Sequence, residues 1–260
     1  MIRKLVRLCP LLGALIIATA CGNKDVIPQN AANPDRFLFE RGEAALKEKK
    51  WLEAREYLRK VVDNYPQSPL RPDAKLGIGD TYLGEKSAES LVLADSEYRE
   101  FLTFYPRHPR ADYAQFKLAM TYFEQMRSAD RDQTSTREAL AEFQVFFDRF
   151  PESALMPEVR KNWRVARDRL SESELRVART YGNMRVYRGA VARLRGILKD
   201  DPNFTNRDEV YFRLAEIYSL SDNKEGKAEA IPYYQRIVDE FVESEFLERA
   251  KMRLKELNAQ

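Results

Sequence analysis

One spacing of small and large residues constrains this chain more than any other feature, and it is clearest from Glu174 to Pro202. Ala178 and Tyr181 share one face of a first helix, and Gly182-Asn183 reads as a turn. Ala190, Leu194, Ile197 and Leu198 then recur at the three- and four-residue spacing of a second helix, which Pro202 stops. Small side chains at 178 and 190 let two antiparallel helices approach closely, while Tyr181 and Leu194 fill the groove beside them.

The same pattern occurs four more times. Gly42, Ala45, Ala54, Leu58 and Pro66 form the first copy, and Gly79, Tyr82, Ala94, Tyr98 and Pro106 the second. Ala119, Tyr122, Ala139, Phe143 and Pro151 form the third. Ala215, Tyr218, Ala230 and Tyr234 form the fifth, where Val242 replaces the proline. This is the tetratricopeptide arrangement, and one amphipathic hairpin means little where five in register mean a stack. The fold expected is all-α, a right-handed α-solenoid of about five tetratricopeptide-like hairpins with a C-terminal capping helix. Predicted helices cover 35–48, 51–64, 70–84, 89–104, 109–126, 135–149, 154–182, 186–200, 206–221, 226–241 and 245–257.

Residues 1–20 stand outside this pattern. Arg3, Lys4 and Arg7 precede an apolar run from Leu11 to Ile17, and Ala18-Thr19-Ala20 has the small residues of a cleavage site, so this reads as a signal peptide. Small residues running into Cys21 look like a lipobox, in which Cys21 is acylated and several chains anchor the protein. Residues 21–34 then form a lipidated flexible tether, 35–153 an amino-terminal half of three repeats, and 154–260 a long connecting helix with repeats four and five and a cap. Removing the three signal cations from 44 Lys and Arg leaves 41, against 41 Asp and Glu. A near-neutral mature chain argues against a nucleic-acid or other generic polyanion binder.

Charge is unevenly placed. Between Pro157 and Gly196 there are eleven Arg and Lys against four acids, whereas from Asn206 onward nine bases face twelve acids. The basic run fits a docking surface for an acidic partner and equally a solvated face with local ion pairs. The single histidine, His108, sits at a turn and reads as a cap or surface residue. Gly77-Ile78-Gly79 lacks the remainder of a phosphate loop, and no metal-ligand cluster or hydrolase motif occurs, so neither an enzyme nor a cofactor is expected.

Three segments carry a closer resemblance: His108-Pro109-Arg110-Ala111-Asp112-Tyr113-Ala114, Ser128-Ala129-Asp130-Arg131-Asp132-Gln133 and Phe146-Phe147-Asp148-Arg149-Phe150-Pro151-Glu152-Ser153. With them the chain resembles the BamD family, tetratricopeptide lipoproteins of the outer-membrane β-barrel assembly machine. The resemblance implies a non-catalytic scaffold, lipid-anchored at the periplasmic face of the outer membrane. It also implies partners: unfolded barrel precursors, the barrel-forming subunit BamA and accessory assembly lipoproteins. The family's docking arginine corresponds to Arg193, with Arg188 and Arg185 nearby in the basic run. For a precursor the expected site is the concave groove, with candidates Asp80, Tyr82, Leu83, Tyr113, Gln115 and Tyr122, although Tyr82 and Tyr122 also occupy repeat-core positions. Two other readings remain: an envelope repeat lipoprotein coordinating peptidoglycan synthesis with the outer membrane, and a soluble periplasmic chaperone.

Overall fold

Each copy of the spacing becomes an antiparallel helix pair in the computed structural model, which describes residues 33–220 and 224–259. The predicted signal, Cys21 and the tether as far as Ala32 lie outside the described residues. The hairpins are α1 (Pro34–Lys47) with α2 (Trp51–Asn64), α3 (Arg71–Glu85) with α4 (Ala88–Phe104), and α5 (Ala111–Glu124) with α6 (Thr134–Arg149). They continue as α7 (Met156–Asn183) with α8 (Tyr187–Asp200), then α9 (Arg207–Ser219), a short α10 (Lys224–Ala228) and α11 (Ile231–Glu240). The cap is α12 (Leu247–Asn258), and no strand occurs among the described residues.

The repeat columns are the core. Ala54, Ala94, Ala139, Ala190 and Ala230 are fully buried, and so, to within one per cent, are Leu58, Tyr98, Phe143, Leu194 and Tyr234 beside them. The first-helix column needs its small size: a Cβ on Gly42 would stand 2.6 Å from Leu58 Cγ, and one on Gly79 would stand 2.8 Å from the Tyr98 ring.

Between hairpins the chain turns on an aromatic or its substitute, followed three to five residues later by a tie back to the preceding first helix. Ser68, Ser153 and Ser244 donate to Asp35, Asp112 and Asp208 and accept the backbone N–H two residues on. Arg110 holds Asp73 in the second repeat, and Thr205 holds Asp168 in the fourth. His108 takes the serine's place in the second turn, its Nδ1 accepting from the Arg110 N–H while its ring packs edge-on against Phe101.

Two predicted boundaries are corrected. The fourth hairpin does not turn at Gly182-Asn183: α7 runs through both, and the chain reverses at Met184-Arg185-Val186 with Arg185 at φ 60°. The Arg185 and Val186 amides cap the Gly182 and Tyr181 carbonyls, a Schellman closure that places the left-handed residue just beyond the helix. The predicted helix 226–241 is broken into α10 and α11, because Pro232 lacks an amide and is accommodated only in a first turn.

Apolar packing is continuous within each half of the stack but not across its middle. Val159 and Ala166 of α7 join the aromatic cluster of α5 and α6, whereas Leu175 and Ala178 join that of α8 and α9. Between Ala166 and Leu175 the contact is polar. Arg164 and Ser171 of α7 both donate to Asp201, which follows α8.

Candidate functional site

The amino-terminal groove candidates fall into three separate places. Asp80 on α3 is central to the first, accepting the Tyr98 hydroxyl at 2.6 Å and the Tyr113 hydroxyl at 2.9 Å. Burial pushes the Asp80 carboxyl above its usual range, against the pull of those hydroxyls and the positive charge of Lys117. Tyr113 is pushed up by its own burial, then by the Asp80 charge and more weakly by Glu43 of α1. Arg110 and Lys117 lie over the Tyr113 ring, so this stretch of α1, α3 and α5 offers an aromatic face with charges of both signs.

Tyr82 belongs to the second place, the seam between α2 and α3. It is buried, its ring lies 3.7 Å beneath the Arg55 guanidinium, and its hydroxyl accepts from Arg59. Leu83 packs half-buried on the same core. Gln115 and Tyr122 form the third place, against α4 and α6. Gln115 is 2% exposed and donates to Glu142, and the Tyr122 hydroxyl accepts from Arg99, which also holds Asp95 and Glu142. Of the six, Asp80 and Tyr113 are brought together, and Gln115 faces α6 instead of the groove.

The docking candidates also divide. Arg193, midway along α8, donates to Glu174 of α7 at 2.5 Å while staying 44% exposed. Arg185 and Arg188 stand exposed at the tip of the hairpin and hold no carboxylate among the described residues. Six of the eleven cations of the basic run hold oxygen atoms elsewhere in the chain: Arg164, Arg167, Arg169, Arg179, Arg193 and Arg195. Their partners include Asp201, Glu209 and Glu229, outside that run, so the folded face is less positive than the linear count.

Counting along the chain missed two features of this face. Arg137 of α6 and Arg167 of α7 converge with Arg193 on a cavity of about 310 Å³, closed by Glu174 and Asp200 and floored by Ala192 and Gly196. A Cβ on Gly196 would meet nothing within 4 Å, so the α8 backbone lies bare there. Arg137 carries no sequence signal for this role, because only the crossing of α6, α7 and α8 brings it there. Among the described residues, no group of three or more His, Cys, Asp or Glu is placed to hold a metal ion.

Antiparallel helix pairs stacked in sequence define a helical-repeat protein. Residues 31–231 match the YfiO family, described as outer membrane lipoproteins, and the chain belongs to that family. It is 30% identical over 196 residues to the outer membrane protein assembly factor BamD of Caulobacter vibrioides, covering 75% of this chain and 63% of that protein. The chain thus spans a little under two thirds of that relative's length. The BamD of Haemophilus influenzae is 27% identical over 79% of either chain, and that of Neisseria meningitidis 24% identical over 89% of this chain and 90% of its own.

Proposed function

We propose that this chain is a non-catalytic, lipid-anchored scaffold that assembles β-barrel proteins into the outer membrane. Acylated Cys21 holds it at the periplasmic face. The first-helix side of the amino-terminal repeats, around Asp80 and Tyr113, receives unfolded precursors. The α7/α8 face around Arg193 docks on a BamA-like barrel-forming subunit, with accessory lipoproteins as further partners. The observation that carries this reading is the family match over residues 31–231, with relatives that bear the name of assembly factors. The exposed guanidinium of Arg193 adds support, since it can exchange Glu174 for a partner's carboxylate through two parallel hydrogen bonds. Among the described residues no helix is long and apolar enough to cross a membrane.

Depletion of the protein tests the role. The reading expects outer-membrane barrels to lose their heat-modifiable folded form, and undiminished folded barrels contradict it. The anchor is tested separately by fractionating Cys21→Ala, which leaves the membrane fraction if acylation holds it there.

A further inference from the structure

On the first-helix side of the last two hairpins there is a second cavity, of about 420 Å³, between the end of α7, α9 and α12. Its floor is apolar: Leu194, Phe212, Ile217 and Phe246 line it, with the rings of Phe212 and Phe246 stacked 4.7 Å apart. Its rim is cationic. Arg179, Arg213, Arg249 and Arg253 all reach it, and Glu216 is the one carboxylate in its wall among the described residues.

The inner two arginines are held firmly, both on Glu209 and Arg179 on Glu172 as well. The outer two are not. Arg249 and Arg253, one turn apart on α12 and 57% and 51% exposed, reach the same Glu216 at 3.5 and 3.7 Å, and Arg253 also pairs with Glu256. The two pairs with Glu216 are long, and the 3.0 Å pair with Glu256 lies on the open surface of α12; pairs this exposed contribute little, so an incoming carboxylate competes with them at small cost. Arg249 also lies 4.4 Å over the Phe212 ring, which puts a guanidinium directly beside the aromatic floor. At the mouth, a Cβ on Gly182 would meet nothing within 4 Å, so the α7 backbone leaves the entrance open.

A stacked aromatic floor accepts a large apolar side chain, and a paired guanidinium rim accepts a carboxylate. In an extended chain, residues two apart point to the same side, so one segment can present both groups at once. We infer that this cavity binds an extended acidic segment of a separate protein, an aromatic or large aliphatic side chain resting on Phe246, Ile217 and Leu220 above the buried Phe212, and a carboxylate lying between Arg249 and Arg253. It is a second peptide site, sharing no residue with the amino-terminal groove or the Arg193 face.

The test is fluorescence anisotropy on the full chain in mild detergent. The probe is a fluorescein-labelled, amidated peptide with glutamate and phenylalanine two residues apart between glycine-serine flanks. Saturable binding is expected, weakened about tenfold or more by Arg249→Glu with Arg253→Glu, and similarly by glutamine for glutamate in the peptide. Tyr113→Phe, in the other groove, leaves it unchanged. If the charge-reversed pair loses its helical circular dichroism, Arg249→Gln with Arg253→Gln takes its place and weakens binding less steeply. No saturable binding, equal binding of the glutamine peptide, indifference to the arginine pair, or loss through Tyr113→Phe would each overturn the inference.

Discussion

Arg164 grips Asp201 with both arms of its guanidinium, Nη1 2.9 Å from Oδ1 and Nη2 2.5 Å from Oδ2, at the point where the two halves of the stack meet. Asp201 is 3% exposed and also accepts the Ser171 hydroxyl. It stands where the other turns have Tyr65, Tyr105, Phe150 and Phe241, so a charged clamp replaces an aromatic plug at this one junction. The clamp fixes α8, and with it Arg193, against the middle of α7.

Asp201→Ala therefore leaves the buried Ser171 hydroxyl without its acceptor and the Arg164 guanidinium with Asp168 alone, and the expected loss is about 2 kcal/mol of unfolding free energy. Arg36→Ala, which breaks an exposed pair with Glu40 on α1, is expected to cost less than about 0.5 kcal/mol. Urea unfolding followed by circular dichroism compares the two, and equal losses would remove the special role of the clamp.

The same seam sets an acid dependence. Burial alone would raise the Asp201 carboxyl, but the hydrogen bonds of Arg164 and Ser171 and the Arg164 charge outweigh it and hold the group below its ordinary value. Glu209 is likewise held down, by Arg179 and then Arg213 against its burial. A depressed folded-state pKa gives stability that is complete above the unfolded value, about 4, and fades as pH falls through the folded one. Thermal unfolding from neutral to about pH 2 should show that fall, and Asp201→Asn should flatten it. A variant as steeply pH-dependent as the parent would place the effect elsewhere.

Half-buried Asp80 behaves in the opposite direction, since desolvation raises it and the two tyrosine hydroxyls restrain the rise. Tyr98→Phe removes one of those donors from a fully buried ring, so Asp80 should titrate higher still and stability at neutral pH should drop by about 1–2 kcal/mol. Carboxyl carbon chemical shifts followed against pH give the titration directly. An unchanged or lower midpoint would mean that Tyr98 does not supply the restraint.

Two glycines give opposite stability signs. Gly42→Ala drives a methyl against Leu58 and is expected to destabilise by about 1–3 kcal/mol. Gly196→Ala finds open space in the interior of α8 and is expected to stabilise the isolated protein by about 0.5–1 kcal/mol through helix propensity. Differential scanning calorimetry on both variants decides this, and a destabilised Gly196→Ala would mean that the bare patch is occupied within the chain.

These outcomes follow from how the repeat is written in the residues. The columns at Gly42, Ala54 and Leu58 and their counterparts were legible because each hairpin repeats one packing solution, and the buried set reproduces them. The serine-to-aspartate ties at Ser68, Ser153 and Ser244 recur in three of the five hairpins, but they pass unnoticed in a search for apolar spacing, since they join polar residues more than thirty positions apart. Pro232 was in plain view and stops a helix wherever it falls beyond the first turn. The convergence of Arg137, Arg167 and Arg193 and the spending of Gln115 on Glu142 depend on how three helices cross, which no linear spacing encodes.

The most direct test of the scaffold account is a pull-down of the tagged protein from detergent-solubilised envelopes, wild type beside Arg193→Glu. The account predicts that a large β-barrel protein with periplasmic repeats comes down with the wild type and is lost with the variant, because reversed charge at α8 repels the carboxylate that the guanidinium would hold. Equal recovery with both would move the dock away from Arg193. Absence of any such barrel from the wild-type sample would contradict the assembly role itself.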